Sequence, residues 1–121
     1  MASILLIDDT EAVRGLFRTV LEQAGYTISE ATTGREGIRL FNEAPTDAVV
    51  TDMHMPDGNG LEVINELRAK HAHLKILAVS GTEQQDGMLR VAKVLGVDGI
   101  LLKPFGVEDL LTAVSRLFGE G

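Results

Sequence analysis

The chain has 121 residues, the size of one compact domain, and 45% of them are hydrophobic, so a packed core is expected and wholesale disorder is excluded. Lys and Arg number 11 against 18 Asp and Glu, and the net charge of −7 argues against binding to the phosphate backbone of a nucleic acid. There is no Cys, which excludes disulfides, thiolate metal sites and thiol nucleophiles.

Membrane and export signals are also missing from the sequence. Its apolar runs are far shorter than the roughly 20 residues that a membrane helix needs. The amino terminus has no basic segment before its first apolar run, and two aspartates end that run, so no signal peptide is indicated. We therefore expect a cytoplasmic protein without membrane insertion and without direct nucleic-acid contact.

Short apolar runs alternate with segments of helical periodicity along the chain. Residues 4–7 predict a strand buried on both faces, because apolar side chains do not alternate there with polar ones. An amphipathic helix is predicted over residues 13–24, and Gly25 is placed to end it in a left-handed conformation. The pattern then predicts a polar edge strand, a second helix and a buried strand ending in a carboxylate, over residues 27–30, 35–43 and 47–52.

The second half of the chain continues this alternation. Pro56, Gly58 and Gly60 make residues 53–60 a dense turn signal. Two further strands and three helices are predicted: helices over residues 61–70 and 88–95, strands over 75–80 and 99–102, and a last helix whose apolar face runs from Leu110 to Phe118. The sequence thus predicts one α/β domain over residues 1–121, a doubly wound, flavodoxin-like parallel sheet of five strands in the order 2-1-3-4-5 with five helices, and no output domain.

Chemically useful residues stand at the carboxyl ends of the predicted strands, the edge at which open parallel sheets bind ligands. Asp8 and Asp9 follow the first strand, Asp52 ends the third, Ser80 ends the fourth and Lys103 follows the fifth. In the predicted strand order the first and third strands are neighbours, so the three aspartates should meet. Taken singly these are ordinary turn, cap or helix-start residues; together they predict one pocket.

The predicted pocket suits a metal-assisted phosphoryl transfer. Three unpaired carboxylates would repel and raise one another's pKa, and a divalent cation relieves that conflict. Mg²⁺ takes oxygen ligands, typically one or two carboxylates and a phosphate oxygen. An aspartate beside the metal could attack a phosphoryl donor and hold the group as an acyl phosphate, while Ser80 and Lys103 share the charge on its oxygens.

Four segments carry a resemblance to a known family: Ile-Leu-Leu-Ile-Asp8-Asp9, Val-Val-Thr-Asp52-Met-His-Met-Pro56-Asp-Gly-Asn-Gly60, Ala-Val-Ser80-Gly81 and Ile-Leu-Leu-Lys103-Pro104-Phe105. They resemble the receiver domain of bacterial response regulators, the phosphoacceptor half of two-component signalling, in its stand-alone, chemotaxis-regulator-like form. The resemblance covers essentially the whole chain. A receiver excised from a longer regulator would look the same.

The resemblance implies a metal site and a phosphorylated residue. Asp52 would accept the phosphoryl group. Asp8, Asp9 and the backbone carbonyl of Met53 would help Asp52 to hold Mg²⁺, for which Mn²⁺ can substitute.

The resemblance also assigns roles around the phosphoryl group. Ser80 would be the hydroxyl that moves toward that group, Lys103 would be its cationic partner, and Pro104 would follow a cis peptide bond. His54 and Thr82 would border the path of the water that hydrolyses the acyl phosphate.

The partners implied by the resemblance are a histidine kinase or a histidine phosphotransfer protein as donor, and a downstream output protein. The domain would catalyse its own phosphorylation and dephosphorylation, as a signalling switch rather than a metabolic enzyme. Phosphorylation would remodel the face made by the fourth helix, fifth strand and fifth helix. The donor would dock at the mouth of the site and on the first helix, where Glu11, Arg14 and Arg18 are expected to face outward.

One position departs from the family pattern. Three residues before the lysine, where the family usually carries Tyr or Phe, this chain has Ile100. An aliphatic side chain has no ring to relocate. We therefore expect activation to produce a smaller rearrangement of the output face, or one centred elsewhere.

Three other functions compete with this interpretation. A degenerate receiver would bind a partner constitutively and never carry phosphate. A Mg²⁺-dependent phosphohydrolase of the haloacid-dehalogenase type would need Asp-x-Asp after the first strand, but Asp8 and Asp9 are contiguous. A flavodoxin-like electron carrier would need a Ser/Thr/Gly phosphate loop in the first turn, which this sequence lacks.

Overall fold

The central sheet has five parallel strands in the computed structural model, which describes residues 2–55, 58–81 and 85–119. The strands are β1 (Ser3–Ile7), β2 (Thr27–Ala31), β3 (Ala48–Asp52), β4 (Lys75–Gly81) and β5 (Gly99–Lys103). They lie in the order β2-β1-β3-β4-β5, with β2 at one edge. The predicted doubly wound, flavodoxin-like fold is confirmed.

Helices cover both faces of the sheet: α1 (Glu11–Gln23), α2 (Gly34–Glu43), α3 (Gly60–Lys70) and α4 (Gln85–Leu95) connect successive strands, and α5 (Val107–Leu117) follows the last strand. Each parallel connection needs a crossover, and a helix supplies it. None of these helices combines the length and the apolar character of a membrane span in the described part of the chain.

Alternate strand residues face two separate apolar layers, because successive side chains of a strand point to opposite faces. Ile4, Leu6 and Val50 pack with Phe17 of α1 and Val114 of α5. On the opposite face, Leu5 and Ile7 belong to a layer that includes Phe41 of α2, Ile64 of α3 and Ala92 of α4. Both faces of β1 and β3 are therefore buried, which explains why these strands are continuous apolar runs.

Two details differ from the sequence-based expectation. Within the predicted turn, His54–Met55 pairs antiparallel with Gly58–Asn59. Helix α4 begins at Gln85, three residues before the predicted start at Met88. The first backbone N–H groups of a helix lack intrahelical partners, so polar residues are ordinary in a first turn, and apolar periodicity does not mark it.

At the end of α1, Gly25 has the predicted positive φ, at 101°.

One arginine, Arg68, connects several segments at the end of the sheet where the strands begin. The Arg68 guanidinium, on α3, donates to four backbone carbonyls, those of His71, Ala72, Leu74 and Gly96, at 2.7 to 3.2 Å. It also donates to Asp98 Oδ2 at 2.9 Å, an oxygen that accepts from the Ile76 N–H at 2.8 Å. The ends of α3 and α4 and the starts of β4 and β5 are thereby held by one side chain.

We expect Arg68→Ala to lower the free energy of unfolding by about 2–3 kcal/mol, because it leaves several carbonyls and a carboxylate without their donor. Arg39→Ala is the matched control, since its ion pair with Glu43 is exposed and such pairs contribute under about 1 kcal/mol. Urea denaturation of both variants measures the difference. Equal losses would contradict the role given to Arg68.

Candidate functional site

Three carboxylates meet at the carboxyl edge of the sheet, as the strand order predicted. Ile7 of β1 pairs with Thr51 of β3, so the residues that follow them, Asp8 and Asp52, lie side by side. Carboxylate oxygens of Asp8, Asp9 and Asp52 all lie within 4.8 Å of one another. Asp8 and Asp52 are only 6% and 5% exposed, whereas Asp9 faces solvent.

The Asp8 carboxyl shows the electrostatic cost of this arrangement. Burial raises its pKa above the ordinary value of 3.8, and the charges of Asp52 and Asp9 raise it further. The Thr10 N–H, which donates to Asp8 Oδ1 at 2.8 Å, and the Lys103 charge lower the pKa again without cancelling the rise. Burial and the neighbouring carboxylates therefore disfavour the charged form of Asp8 more than Thr10 and Lys103 favour it.

The ammonium group of Lys103 lies near the Asp52 carboxylate. This lysine is the last residue of β5, which pairs with β4 so that Lys103 lies beside Gly81. Its Nζ lies 4.0 Å from Asp52 Oδ1, and its side chain is 39% exposed. The following peptide bond, Lys103–Pro104, is cis as predicted. The ammonium group is therefore close to the Asp52 carboxylate and also open to an incoming anion.

Ser80 and His54 contact each other beside the Asp52 carboxylate. Ser80 is fully buried on β4, and its Oγ lies 3.3 Å from His54 Nε2 and 3.4 Å from the Gly81 carbonyl. The His54 backbone N–H donates to Asp52 Oδ1 at 3.2 Å. His54 therefore touches both the residue predicted to accept a phosphoryl group and the hydroxyl predicted to turn toward it.

Residues 52–54 are held in a tight turn by Gly60. The Gly60 N–H donates to the Met53 carbonyl at 3.2 Å, which leaves the second lone pair of that oxygen for another ligand. A Cβ on Gly60 would lie 2.6 Å from the Asp52 carbonyl oxygen and 3.0 Å from Met53 Cα. Only glycine allows α3 to begin so close to this backbone. The sequence marked Gly60 as a turn residue but gave no sign of this contact.

Arg14 does not face outward as expected; its side chain is only 12% exposed. Its Nη1 donates to the Asp8 carbonyl at 2.9 Å, and its Nε donates to Glu30 Oε1 of β2 at 3.2 Å. Arg18, by contrast, is about half exposed and pairs with the same Glu30. The helical pattern could not distinguish them, because the partner of Arg14 comes from a strand distant in sequence.

The other predicted residues lie around this centre. Ile100 is half-buried on β5 and lies with Pro104 along a groove beside α5. Thr82 falls outside the described residues. The structure therefore places Ile100 on the predicted output face and says nothing of Thr82.

The donor set of the cluster fits a hard divalent cation. Asp8, Asp9 and Asp52 supply carboxylate oxygens, and Met53 adds a carbonyl oxygen that retains a lone pair. Mg²⁺ and Mn²⁺ both favour such oxygen ligands. The raised pKa of Asp8, caused by burial and then by the neighbouring carboxylates, agrees with this fit, since a cation would favour the charged form.

A family model and similar proteins of known name indicate the same family for this chain. The family model for the response regulator receiver domain matches residues 4–115. The chemotaxis protein CheY of Halobacterium salinarum is 32% identical over 112 residues, which cover 93% of this chain and 92% of that protein. The KDP operon transcriptional regulatory protein KdpE of Escherichia coli is 34% identical over 110 residues, which cover 91% of this chain and 48% of KdpE.

A solved structure agrees with the sequence matches. The chemotaxis response regulator CheY4 of Vibrio cholerae has a TM-score of 0.89 to this chain at 31% identity, covering 97% of this chain and 98% of the other. The order of the strands in the sheet agrees with this structural match. The resemblance inferred from the sequence motifs is confirmed: the chain belongs to the family of response regulator receiver domains.

Proposed function

We propose that the chain is a phosphoacceptor switch in which Asp52 takes a phosphoryl group from a phosphohistidine donor in a Mg²⁺-dependent reaction. The observation that carries the proposal is the carboxylate cluster: three aspartates within 4.8 Å of one another, with the Lys103 Nζ 4.0 Å from Asp52 Oδ1. The donor would be a histidine kinase or a histidine phosphotransfer protein. The phosphorylated chain would pass the signal to a downstream output protein. Because such donors are made from ATP, we expect the chain to work in the cytoplasm.

Asp52 is the proposed nucleophile. The contacts described for its carboxylate, from the His54 N–H and from Lys103, both fall on Oδ1, so Oδ2 is the oxygen we expect to attack. A bond forms between this oxygen and phosphorus, and the bond from phosphorus to the donor imidazole breaks. The imidazole leaves with the electron pair and takes up a proton. Hydrolysis later returns the carboxylate and inorganic phosphate.

Asp8, Asp9, Asp52 and the Met53 carbonyl would hold Mg²⁺. When bound, the cation neutralises charge on the carboxylates and on the transferring phosphoryl oxygens. Lys103 offers its ammonium to the same oxygens, and the Ser80 hydroxyl can donate to one of them. Arg14 keeps the Asp8 backbone in place through its bond to the Asp8 carbonyl.

The predicted output face carries exposed apolar side chains. Val91 and Val94 of α4 are 44% and 82% exposed, and Leu102 of β5 is 37% exposed. Exposed apolar surface of this kind suits a protein partner. Ile100 is the observation that favours the second candidate function, a degenerate receiver that binds its partner constitutively, because it lacks the aromatic ring usual in the family.

Incubation with Mg²⁺ and acetyl phosphate should add one phosphoryl group to the parent protein, seen by intact mass. Omitting Mg²⁺ should abolish the adduct, because the charge on the transferring oxygens is then not neutralised. Asp52→Asn should also abolish it, because the substitution removes the nucleophile. Asp47→Asn is the control, since that aspartate contacts Ser3, at the other edge of the sheet. An adduct that survives Asp52→Asn contradicts the assignment. If neither an adduct nor beryllofluoride binding is seen, the degenerate receiver is supported instead.

Asp8→Asn should stabilise the protein at neutral pH without divalent cations. The raised pKa means that folded Asp8 holds its proton above pH 3.8, where unfolded Asp8 has lost it. The free energy of unfolding therefore falls as the pH rises from 3.8 to the pKa of Asp8 in the folded protein, and it falls no further above that pKa. The stabilisation by Asp8→Asn should vanish below pH 3.8.

Thermal melts across pH, with and without Mg²⁺, test this prediction. Mg²⁺ should raise the Tm of the parent more than that of Asp8→Asn, because binding to the folded state alone is stabilising. Glu43→Gln, an exposed carboxylate on α2, is the control. A variant less stable than the parent in metal-free buffer at neutral pH would overturn the account of Asp8.

Ile100 should limit the change of the output face on activation. Beryllofluoride with Mg²⁺ should shift the amide resonances near Asp52 and Ser80 strongly and those of α4 and β5 only slightly. Ile100→Tyr restores a ring and should enlarge the shifts of α4 and β5. Large shifts throughout this face in the parent would count against the prediction.

A further inference from the structure

We propose that His54 is a positioning residue that holds the Ser80 hydroxyl in its resting place, and so sets how readily Ser80 turns to a phosphoryl group on Asp52. The inference rests on the proposed function and adds a residue to it. Its basis is the contact of 3.3 Å between His54 Nε2 and Ser80 Oγ.

The Ser80 hydroxyl depends on this contact. Ser80 is fully buried, and a buried hydroxyl needs a hydrogen-bond partner. Among the described residues, the other partner of its Oγ is the carbonyl of the next residue, Gly81, at the longer distance of 3.4 Å. The imidazole is thus the closer partner, and it is the one that comes from another element of the fold.

The backbone of His54 is itself held in position by two contacts. The N–H of His54 donates to Asp52 Oδ1 at 3.2 Å, and its backbone pairs with that of Asn59. The turn that carries it is closed by Gly60, whose N–H donates to the Met53 carbonyl. The ring and the acceptor carboxylate therefore belong to one turn, and only Ser80 lies on a separate strand.

Whichever of the two groups donates in the contact between His54 and Ser80, the Ser80 Oγ leaves the ring nitrogen when it turns to a phosphoryl oxygen on Asp52, so the ring and the phosphoryl group compete for Ser80. Turning toward the phosphoryl oxygen exchanges one hydrogen bond for another and breaks no covalent bond. The stronger the resting contact, the less the phosphoryl-bound position is populated. The loss of a net hydrogen bond changes an equilibrium constant by about fivefold.

His54→Leu keeps an apolar group of comparable size and removes the ring nitrogens. In the presence of Mg²⁺ it should bind beryllofluoride about fivefold more tightly than the parent, measured by titration. His54→Gln, whose amide can occupy the place of Nε2, should return the affinity toward that of the parent. His73→Leu applies the same substitution to an exposed histidine before β4 and should change nothing.

A double-mutant cycle separates the contact from a general effect of the substitution. In the Ser80→Ala background, His54→Leu should no longer alter beryllofluoride affinity, because the hydroxyl it releases is gone. The same fivefold change in both backgrounds would overturn the proposal. A failure of His54→Gln to restore the affinity would also count against it.

A measurement on the parent protein avoids any loss of folding in the variants. At one fixed pH, the ¹⁵N resonance of His54 Nε2 should shift on Ser80→Ala, and again when beryllofluoride binds to the parent. An unchanged resonance in both cases would overturn the proposal. Absence of beryllofluoride binding by the parent would overturn the proposed function as well, whereas binding without coupling between His54 and Ser80 would overturn this inference alone.

Discussion

Repulsion among Asp8, Asp9 and Asp52 is the constraint on which the other features of the site depend. Parallel strands end at one edge, and the β1–β3 pairing places two of these carboxylates side by side in a buried position. The raised pKa of Asp8 shows that the repulsion and the burial are not fully offset. Lys103 is near enough to reduce this charge but too exposed to cancel it. The oxygen atoms at this edge fit a divalent cation, which would reduce this charge.

The groups that support the carboxylates act mainly through the backbone. Arg14 holds the Asp8 carbonyl, the His54 N–H contacts Asp52, and Gly60 fixes the Met53 carbonyl. Contacts of this kind set where each oxygen lies, and Arg14 also brings a positive charge to the Asp8 carbonyl. The site is thus shaped by residues whose own side chains are not proposed to react.

Sequence patterns predicted the sheet well because its central strands are buried on both faces, which leaves a continuous apolar run that few other structures produce. The meeting of Asp8 and Asp52 followed from strand order alone. The contact of His54 with Ser80 could not be predicted, since it depends on the turn after β3, whose local geometry no periodicity records. Arg14 was assigned the wrong direction because its partners come from other elements.

The Arg68 anchor has a mechanical consequence for α4. This helix has 11 residues and is about 16 Å long, and the Gly96 carbonyl just beyond its carboxyl end is bound to Arg68 on α3. Ala92, in the same half of the helix, is fully buried, so a displacement of α4 would be smallest there and largest at its amino-terminal end. The amino-terminal end of α4 follows β4 and Ser80 in the chain. A small shift at Ser80 would therefore displace mainly the amino-terminal end of α4, while the residues bound to Arg68 stay in place.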